Sequence, residues 1–350
     1  MRAFIIFLLL WSLPAHAVES ILELMRINHI AGVAIVQIAE GAVVSHEEYG
    51  FKKAGSEDKI TPVTVFEVAS FSKPLFAYAV LQLVERGLMD LDTPLSHYLT
   101  YPDVKGDSRL QAITARMVLT HSTGFPNWRP LNGSLKIFFQ PGSRFSYSGE
   151  GFLYLQRAVE TLTGESLETH MQKNVFGPLG MTQSSYIWQP AYTTTQAYGH
   201  DAEGIAIERT TPFFPNAAFT LHTTALDYAK FVVAILQDVG LKASTIQEML
   251  TPQIHVEDKC VDCTLKPLGK RSDSIAWGLG WGLQRSAVGR SFWHWGDNYG
   301  YKCYMEGFKD KKSGTVILTN GVNGLNFISE WIFQKEGSYQ PAFAWLQADY

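Results

Sequence analysis

Ser70 and Lys73 lie three residues apart at the start of an apolar stretch. On a helix this spacing places both side chains on one face, where the amine can take the hydroxyl proton. The lysine must be neutral to act as that base. Residues 74–84 are almost wholly apolar, and an ammonium in such surroundings loses hydration, which lowers its pKa. The pair therefore predicts covalent catalysis by a serine nucleophile.

The spacing alone is weak evidence, because a second Ser-x-x-Lys occurs at Ser56 and Lys59. Chance gives about one match in a chain of this length when serine and lysine each make up roughly 6% of residues. The stretch around Ser56 is polar and follows a glycine, so both of its side chains are expected to lie in water on a loop. Sequence context therefore selects Ser70 as the candidate nucleophile.

Acyl transfer by such a pair also needs a proton shuttle, donors for the oxyanion and a polar wall for the substrate. Tyr147, in a Tyr-Ser-Gly motif, follows a Pro-Gly turn, and its phenol can bond an amine and a hydroxyl together. His294, in a His-Trp-Gly motif, closes an apolar strand and can form the wall, either charged or as a neutral donor. Taken singly, such a tyrosine or histidine is more often structural than catalytic.

The composition indicates a folded protein without a basic surface. The chain has 350 residues, of which 46% are hydrophobic and 18% charged, and its formal net charge is -4 at pH 7. It can bury a large core in one big or two closely joined domains. Because the balance is slightly acidic, neither nucleic acid nor anionic lipid is expected as a partner.

Residues 1–17 are typical of an export signal. Arg2 supplies the positive end, residues 3–11 the apolar segment, and Ala15 to Ala17 a small-x-small cleavage site. A membrane anchor is the alternative, but the apolar run is shorter than the about 20 residues that cross a bilayer. No later stretch is long and apolar enough to span. We therefore expect residues 18–350 as the mature protein, periplasmic or secreted.

Export changes the interpretation of the three cysteines. For Cys260 and Cys263 a local disulfide in a surface loop is favoured over free thiols, and Cys303 is expected to be a buried free thiol. No second cysteine pair or zinc-like histidine spacing accompanies them, so no metal site is predicted. A thiol redox protein is a weak hypothesis, because the pair does not follow a strand at the start of a helix.

Apolar periodicity predicts strands near both ends of the chain and helices between them. An N-terminal hairpin is predicted over residues 31–50, with its turn at Glu40-Gly41. Later strands are predicted over residues 277–284, 291–294, 301–308 and 315–319. Helices are predicted over 71–86, 151–162, 166–176, 224–237 and 325–334.

This pattern predicts an α+β fold of sandwich type. The N- and C-terminal segments form one antiparallel sheet flanked by helices, with a large helical insertion. A single catalytic domain over residues 18–350 is expected, with a sheet lobe at about 20–60 and 270–350 and a helical lobe at about 70–260.

The three motifs occur in an order that resembles the serine β-lactamase and penicillin-binding-protein superfamily, and within it the class C β-lactamase-like branch. That branch also holds D,D-carboxypeptidases, D-aminopeptidases and esterases. The resemblance implies the β-lactamase/transpeptidase-like fold. It runs from about residue 25 to 335, and the stretches that also carry it are residues 68–74, 81–92, 119–126 and 177–181.

The resemblance also implies residue roles. Ser70 would be the acylated nucleophile, Lys73 its base and Tyr147 the proton relay, while His294 would help to hold the tyrosine and face the substrate. The oxyanion would be held by the backbone N–H groups of Ser70 and Asp297. No metal or organic cofactor is implied.

Two departures from the family pattern bear on the substrate. Members that act on β-lactams usually carry Tyr-x-Asn, whose amide holds an acylamino group, whereas Gly149 has no side chain. The third motif often reads Lys-Thr-Gly, whereas His294 is largely neutral at pH 7 and Trp295 has no hydroxyl. We expect Gly149, Trp295 and Gly296 to contact the substrate. The two departures from the family motifs favour a peptide or ester substrate with a bulky apolar part. Further candidates for a pocket lining are Trp128, Trp188, Trp277, Trp281 and Trp293.

These observations predict an exported serine hydrolase that forms an acyl-enzyme with a small-molecule or peptide amide or ester, including peptidoglycan-derived compounds. The alternative is a catalytically silent protein of the same fold that binds peptidoglycan fragments or peptides. Retention of Ser70, Lys73 and Tyr147 disfavours it, because a binder needs no neutral lysine. The natural substrate and the oligomeric state are left open by the sequence.

Overall fold

The computed structural model describes residues 15–104, 106–209, 211, 214–258, 260–266 and 269–347, with side chains described from residue 20 onward. The predicted export signal lies largely outside these residues. Within the described part of the chain, every helix is too short or too polar to cross a membrane.

Among the described residues, eight strands form an antiparallel sheet with the order β2-β1-β10-β9-β8-β7-β6-β5. Two further strands, β3 and β4, form a short separate ladder. The strands are β1 (Gly32–Ala39), β2 (Ala42–Gly50), β3 (Phe66–Glu67), β4 (His222–Thr223), β5 (Ile254–Glu257), β6 (Arg271–Trp277), β7 (Gly282–Ser286), β8 (Gly289–Asn298), β9 (Tyr301–Phe308) and β10 (Ser313–Thr319).

The predicted N-terminal hairpin is present and joins the late strands. Its turn residues Glu40 and Gly41 have φ of 53° and 74°, and positive φ at both central positions suits the twist of a two-residue hairpin. Strand β1 then pairs with β10, so that Ile35 lies opposite Ile317. The prediction of one antiparallel sheet from both ends of the chain is confirmed.

Helices cover both faces of the sheet, which explains the nearly continuous apolar sequence of β1. Ala34 and Val36 pack in the core that contains the long central helices, whereas Val33 and Ile35 pack with the terminal helices. The helices are α1 (Ala15–Ile27), α2 (Ser72–Glu85), α3 (Ala115–Leu119), α4 (Gly149–Thr163), α5 (Leu167–Met171), α6 (Gly177–Leu179), α7 (Tyr192–Thr195), α8 (Ala225–Leu236), α9 (Ala243–Met249), α10 (Gly324–Glu336) and α11 (Pro341–Gln347).

The predicted strand over residues 277–284 is present only in part, as the end of β6 and the start of β7. The chain leaves β6 after Trp277, turns, and re-enters the sheet as β7 at Gly282. Gly280 in this turn has φ of 83°, and a Cβ there would lie 2.5 Å from Ala77 Cβ of α2. The glycine-rich turn therefore packs directly on the central helix, a tertiary contact that the apolar run did not reveal.

The end of β8 lies against the segment that precedes α2. Pairing with β7 stops at Trp293, and β8 also contacts the segment Ala69–Phe71. A Cβ at Gly296 would lie less than 3.0 Å from both the Val68 carbonyl oxygen and Cys303 Sγ. Only glycine allows this approach, so Gly296 sets the distance between β8 and the chain that leads into Ser70.

We expect Gly296→Ala to lower the free energy of unfolding by about 1–3 kcal/mol, because the added methyl meets backbone atoms that cannot move away freely. Gly151→Ala is the matched control, since its Cβ would meet Thr123 Cγ2 at an ordinary 3.4 Å. The control should be neutral or slightly stabilising in helix α4. Urea unfolding followed by circular dichroism measures both, and equal effects would contradict the packing argument.

Candidate active site

Ser70 lies on a tight turn that feeds directly into α2. The turn is the 3-10 segment Ala69–Phe71, and Ala69 has φ of 47°, a conformation that costs energy for a residue with a Cβ. Ser72 stabilises it by donating to the Ala69 carbonyl (2.6 Å) and accepting from Leu221 N–H (3.0 Å). These two hydrogen bonds therefore hold the strained backbone conformation of Ala69. Ser70 lies half-buried at the start of the helix.

Lys73 is buried on the same helix face, as the spacing predicts. Its Nζ lies 3.0 Å from Ser70 Oγ and donates to the Ala218 carbonyl at 2.9 Å. Only 1% of the side chain is exposed, and burial lowers the pKa of Lys73 well below its ordinary value. The structure therefore brings together a hydroxyl and an amine that favours its neutral form. By contrast, Lys59 of the second Ser-x-x-Lys is exposed, as expected.

Tyr147 lies beside this amine. Lys73 Nζ is 4.7 Å from the centroid of the Tyr147 ring. The ring is held between His121, at 4.2 Å, and Trp295, at 4.7 Å between centroids. Its backbone N–H donates to the Val261 carbonyl at 2.9 Å. Packing from three separate segments therefore fixes the tyrosine next to the Ser70 and Lys73 pair.

His294 completes the cluster that the sequence predicted. Its Nδ1 donates to the Trp295 carbonyl at 2.8 Å, which leaves Nε2 as an acceptor. Its ring centroid lies 6.3 Å from that of Tyr147. Burial is the main cause that lowers the pKa of His294 to about 3, and the nearby Lys73 adds to it when protonated. This histidine is therefore neutral near pH 7, and in this tautomer it accepts a hydrogen bond instead of donating one.

His121 belongs to the site and was missed as a site residue by the sequence reasoning. Its Nδ1 accepts the Ser148 N–H at 2.9 Å, and its ring stacks on Tyr147. Burial, with Lys73 and His294 nearby, lowers the pKa of His121 well below its ordinary value. The residue has φ of 52°. The available signal was its place in the stretch 119–126, which already resembled the family.

The predicted Cys260–Cys263 disulfide is present, and Cys303 is a buried free thiol, as predicted. The disulfide loop is not at the surface, however, because both of its cysteines are buried. Besides the Val261 contact to Tyr147, Cys263 N–H donates to Ser146 Oγ at 2.9 Å. The loop thus braces the turn that carries the tyrosine. The described residues contain no cluster of histidine, cysteine and acidic side chains that could hold a metal ion.

Asp297 lies near the end of β8, the strand that contacts the nucleophile turn. Asn298 and Tyr301 close a two-residue hairpin, and Asp297 pairs with Lys302 at the next position. In such a hairpin the closing pair exchanges hydrogen bonds and the next pair does not. The Asp297 N–H therefore points away from β9, and the strand β8 that carries it contacts the segment Ala69–Phe71. The Asp297 carboxylate forms an ion pair with Lys302.

The remaining predicted substrate residues have structural surroundings that the sequence did not reveal. Trp295 is only 5% exposed and packs on Tyr147 and Trp345, so its indole supports the tyrosine. Gly296 approaches the Val68 backbone, where a ligand had been expected. Gly149 begins α4, and a Cβ there would lie 2.5 Å from the indole of Trp128.

A cavity of about 350 Å³ adjoins the site. Phe219, which follows Ala218, and Asn298, which follows Asp297, both line it. Glu67 also lines it, and burial raises the pKa of that carboxyl to about 7. A larger cavity of about 970 Å³ lies between α9 and strands β6 to β8 and contains none of the clustered residues. Neither cavity is lined by Ser70, Lys73, Tyr147 or His294 themselves, and the smaller one is connected to the site through the chain neighbours of Ala218 and Asp297.

Comparison with known proteins finds similarity over most of the chain. The family model described as Beta-lactamase matches residues 19–336. The putative penicillin-binding protein PbpX of Bacillus subtilis is 26% identical over 63% of this chain and 59% of its own length. Penicillin-binding protein 4* of Bacillus subtilis is 22% identical over 86% of this chain and 71% of that protein. The chain spans about half the length of the first curated relatives that it matches, 59% of PbpX and 43% of Protein flp of Staphylococcus aureus.

Solved structures share the fold at low sequence identity. A class C beta-lactamase is 19% identical and superimposes with a TM-score of 0.76 over 92% of this chain and 96% of that one. The octameric penicillin-binding protein homologue from Pyrococcus abyssi is 23% identical, with a TM-score of 0.74 over 95% of this chain and 76% of that one. These similarities confirm the β-lactamase/transpeptidase-like fold that the resemblance implied.

The buried neutral histidines predict a loss of stability in acid. Below about pH 6.5 the unfolded chain binds protons that folded His294 does not, so the free energy of unfolding falls as pH falls towards about 3. We expect His294→Gln to reduce this slope between pH 6.5 and 4 by up to about 1.4 kcal/mol per pH unit. Urea unfolding at several pH values measures it. The control His97→Gln, at an exposed site, should leave the slope unchanged; equal slopes in all three proteins would contradict the prediction.

Proposed function

Because the chain belongs to the beta-lactamase family, we propose that it is an exported serine hydrolase that forms an acyl-enzyme with an amide or ester substrate. The observation that carries the proposal is the buried amine of Lys73, 3.0 Å from Ser70 Oγ. An amine whose pKa is lowered by burial can take the serine proton at neutral pH as the oxygen attacks.

In acylation, Ser70 Oγ attacks the carbonyl carbon of the substrate and its proton passes to Lys73 Nζ. The resulting oxyanion accepts hydrogen bonds from the backbone N–H groups of Ser70 and Asp297. As the C–N or C–O bond breaks, the proton passes from Lys73 through the phenol of Tyr147 to the leaving atom. The acyl group remains as an ester on Ser70.

In deacylation, a water molecule attacks this ester and gives its proton to the same Tyr147 and Lys73 pair. Collapse of the second tetrahedral intermediate returns a proton to Ser70 Oγ and frees the acid. His294 and His121 stay neutral throughout, because their pKa values are lowered. Neither competes for the proton, and both position Tyr147 through the contacts described above.

Two parts of the proposal rest on sequence alone. Residues 1–17 would direct export, and residues 18–350 would form one mature catalytic domain. The substrate is proposed to be a small acyl compound or peptide, with peptidoglycan-derived peptides included because matched relatives are named penicillin-binding proteins. The steps above use only side chains and backbone groups of this chain.

Replacement of the nucleophile tests the acyl-enzyme. We expect Ser70→Ala to lose labelling by a fluorescent fluorophosphonate and to lower p-nitrophenyl ester hydrolysis by at least about three orders of magnitude. Ser56→Ala, the matched control from the second Ser-x-x-Lys, should keep both activities. Circular dichroism verifies folding. Turnover retained in Ser70→Ala would refute the assignment, and binding without any covalent adduct in the parent would favour the silent alternative.

The pH profile tests the base. Lys73 acts only when neutral, so kcat/KM should rise with pH through a pKa well below the about 10.4 of free lysine. Lys73→Arg, which stays charged, should lose acylation across pH 5–10, as measured by initial rates and adduct formation. Lys59→Ala should reproduce the parent profile. A parent rate that rises only above about pH 10 would show that the amine is not desolvated.

A further inference from the structure

We propose that Trp128 and Phe219 form an aromatic wall that selects substrates with a flat, apolar acyl group. The proposal rests on the proposed function, because it names the substrate class of the same site. It starts from the residue that follows Tyr147 and Ser148, where the family pattern places a side-chain amide and this chain has Gly149.

The space in front of Gly149 is filled by an indole. A Cβ at this position would lie 2.5 Å from both Cη2 and Cζ2 of Trp128. Any side chain at 149 would have to displace this ring. The missing side chain is therefore replaced by an aromatic surface contributed from another loop.

The loop that carries Trp128 is anchored on both sides of the indole. Asn127 accepts the N–H groups of Gly149 and Glu150 through its carbonyl oxygen, at 3.0 and 3.1 Å. Arg129 donates to the buried Glu150 carboxylate from Nε and Nη2, at 2.8 and 2.7 Å, and from its backbone N–H at 3.0 Å. Because both neighbours of Trp128 bind the first turn of α4, the indole is held in place before any substrate arrives.

The second aromatic ring ties this wall to the reaction centre. Phe219 meets Trp128 edge-on, with 5.3 Å between ring centroids. It directly follows Ala218, whose carbonyl accepts from Lys73 Nζ. Phe219 also lines the cavity of about 350 Å³ that adjoins the site. The two rings therefore lie between the start of α4 and that cavity.

The chemistry of this wall favours apolar planar groups. Trp128 is 43% exposed despite its anchored loop, so a large part of this residue is accessible from solvent. Aromatic faces gain from burial against another flat apolar group. A substrate with a polar acylamino group finds no side-chain amide at 149 to satisfy it, and a buried polar group left unpaired costs affinity. The wall therefore discriminates by the acyl group.

Two esters with the same leaving group test the proposal. The measured quantity is the ratio of kcat/KM for the p-nitrophenyl esters of phenylacetic acid and of N-acetylglycine. We expect a parent ratio above one and a decrease of about tenfold or more in Trp128→Ala, with a smaller decrease in Trp128→Phe. Leu131→Ala, which removes an apolar side chain that is 93% exposed on the same loop, should leave the ratio unchanged.

A double-mutant comparison tests the steric argument. Gly149→Ala should lower the ratio in the parent, because its methyl displaces the indole. The same change should add nothing in the Trp128→Ala background, where the space is empty. The proposed aromatic wall would be refuted if the kcat/KM ratio did not depend on Trp128. It would also be refuted if Gly149→Ala had an equal effect in both backgrounds. Melting curves ensure that only folded variants are compared.

Mass spectrometry separates failure of the wall from failure of the hydrolase. If the acyl adduct forms on Ser70 but the ratio is insensitive to Trp128, the wall is wrong and the hydrolase stands. If no adduct forms with either ester, the proposed hydrolase function is refuted. Calorimetric measurement of phenylacetamide binding then tests the aromatic wall separately. Binding that is lost in Trp128→Ala and kept in Leu131→Ala would support it, whereas binding equal in all three proteins, or absent from the parent, would overturn it.

Discussion

The structure depends on keeping one amine out of water. Lys73 lies on α2, a helix that is buried along nearly its whole length, and a charged ammonium there would carry a large desolvation cost. The chain meets this cost by lowering the pKa of Lys73 and by giving Nζ two oxygen partners, Ser70 Oγ and the Ala218 carbonyl. Sheet, helices and the β6–β7 turn all pack around this helix, so the same core that stabilises the fold also creates the base.

The groups around the amine come from distant segments and are held mainly by rings. Tyr147 packs between His121 and Trp295, and the loop closed by Cys260 and Cys263 binds its backbone through Val261. Stacked rings have few ways to rearrange in a dense core, which keeps the phenol in place. A neutral environment also matters chemically, since a nearby carboxylate would stabilise the ammonium and raise the pKa of the lysine.

Local sequence predicts the parts of this arrangement that depend on local rules. The hairpin turn at Glu40-Gly41, helix α2 and the pairing of both chain ends follow from periodicity and turn chemistry, and the Ser70 and Lys73 contact follows from helical spacing. The turn between β6 and β7 was missed because it is as apolar as a strand and is made by packing on Ala77. His121 was missed because its role comes from stacking on a residue 26 positions away in the chain.

Core elements position the reacting groups, whereas a loop positions Trp128. The reaction chemistry and the substrate selectivity can therefore change independently of each other. The nucleophile, the base and the tyrosine are placed by α2, β8 and the start of α4, where a shift of one residue would break several packed contacts. Trp128 is placed by a loop whose anchors, Asn127 and Arg129, bind the first turn of α4, with Arg129 also paired with Asp103. The Trp128 indole can therefore occupy the space of a side chain at position 149 without moving the reacting groups. The proposed wall therefore changes selectivity without moving the nucleophile, the base or the tyrosine.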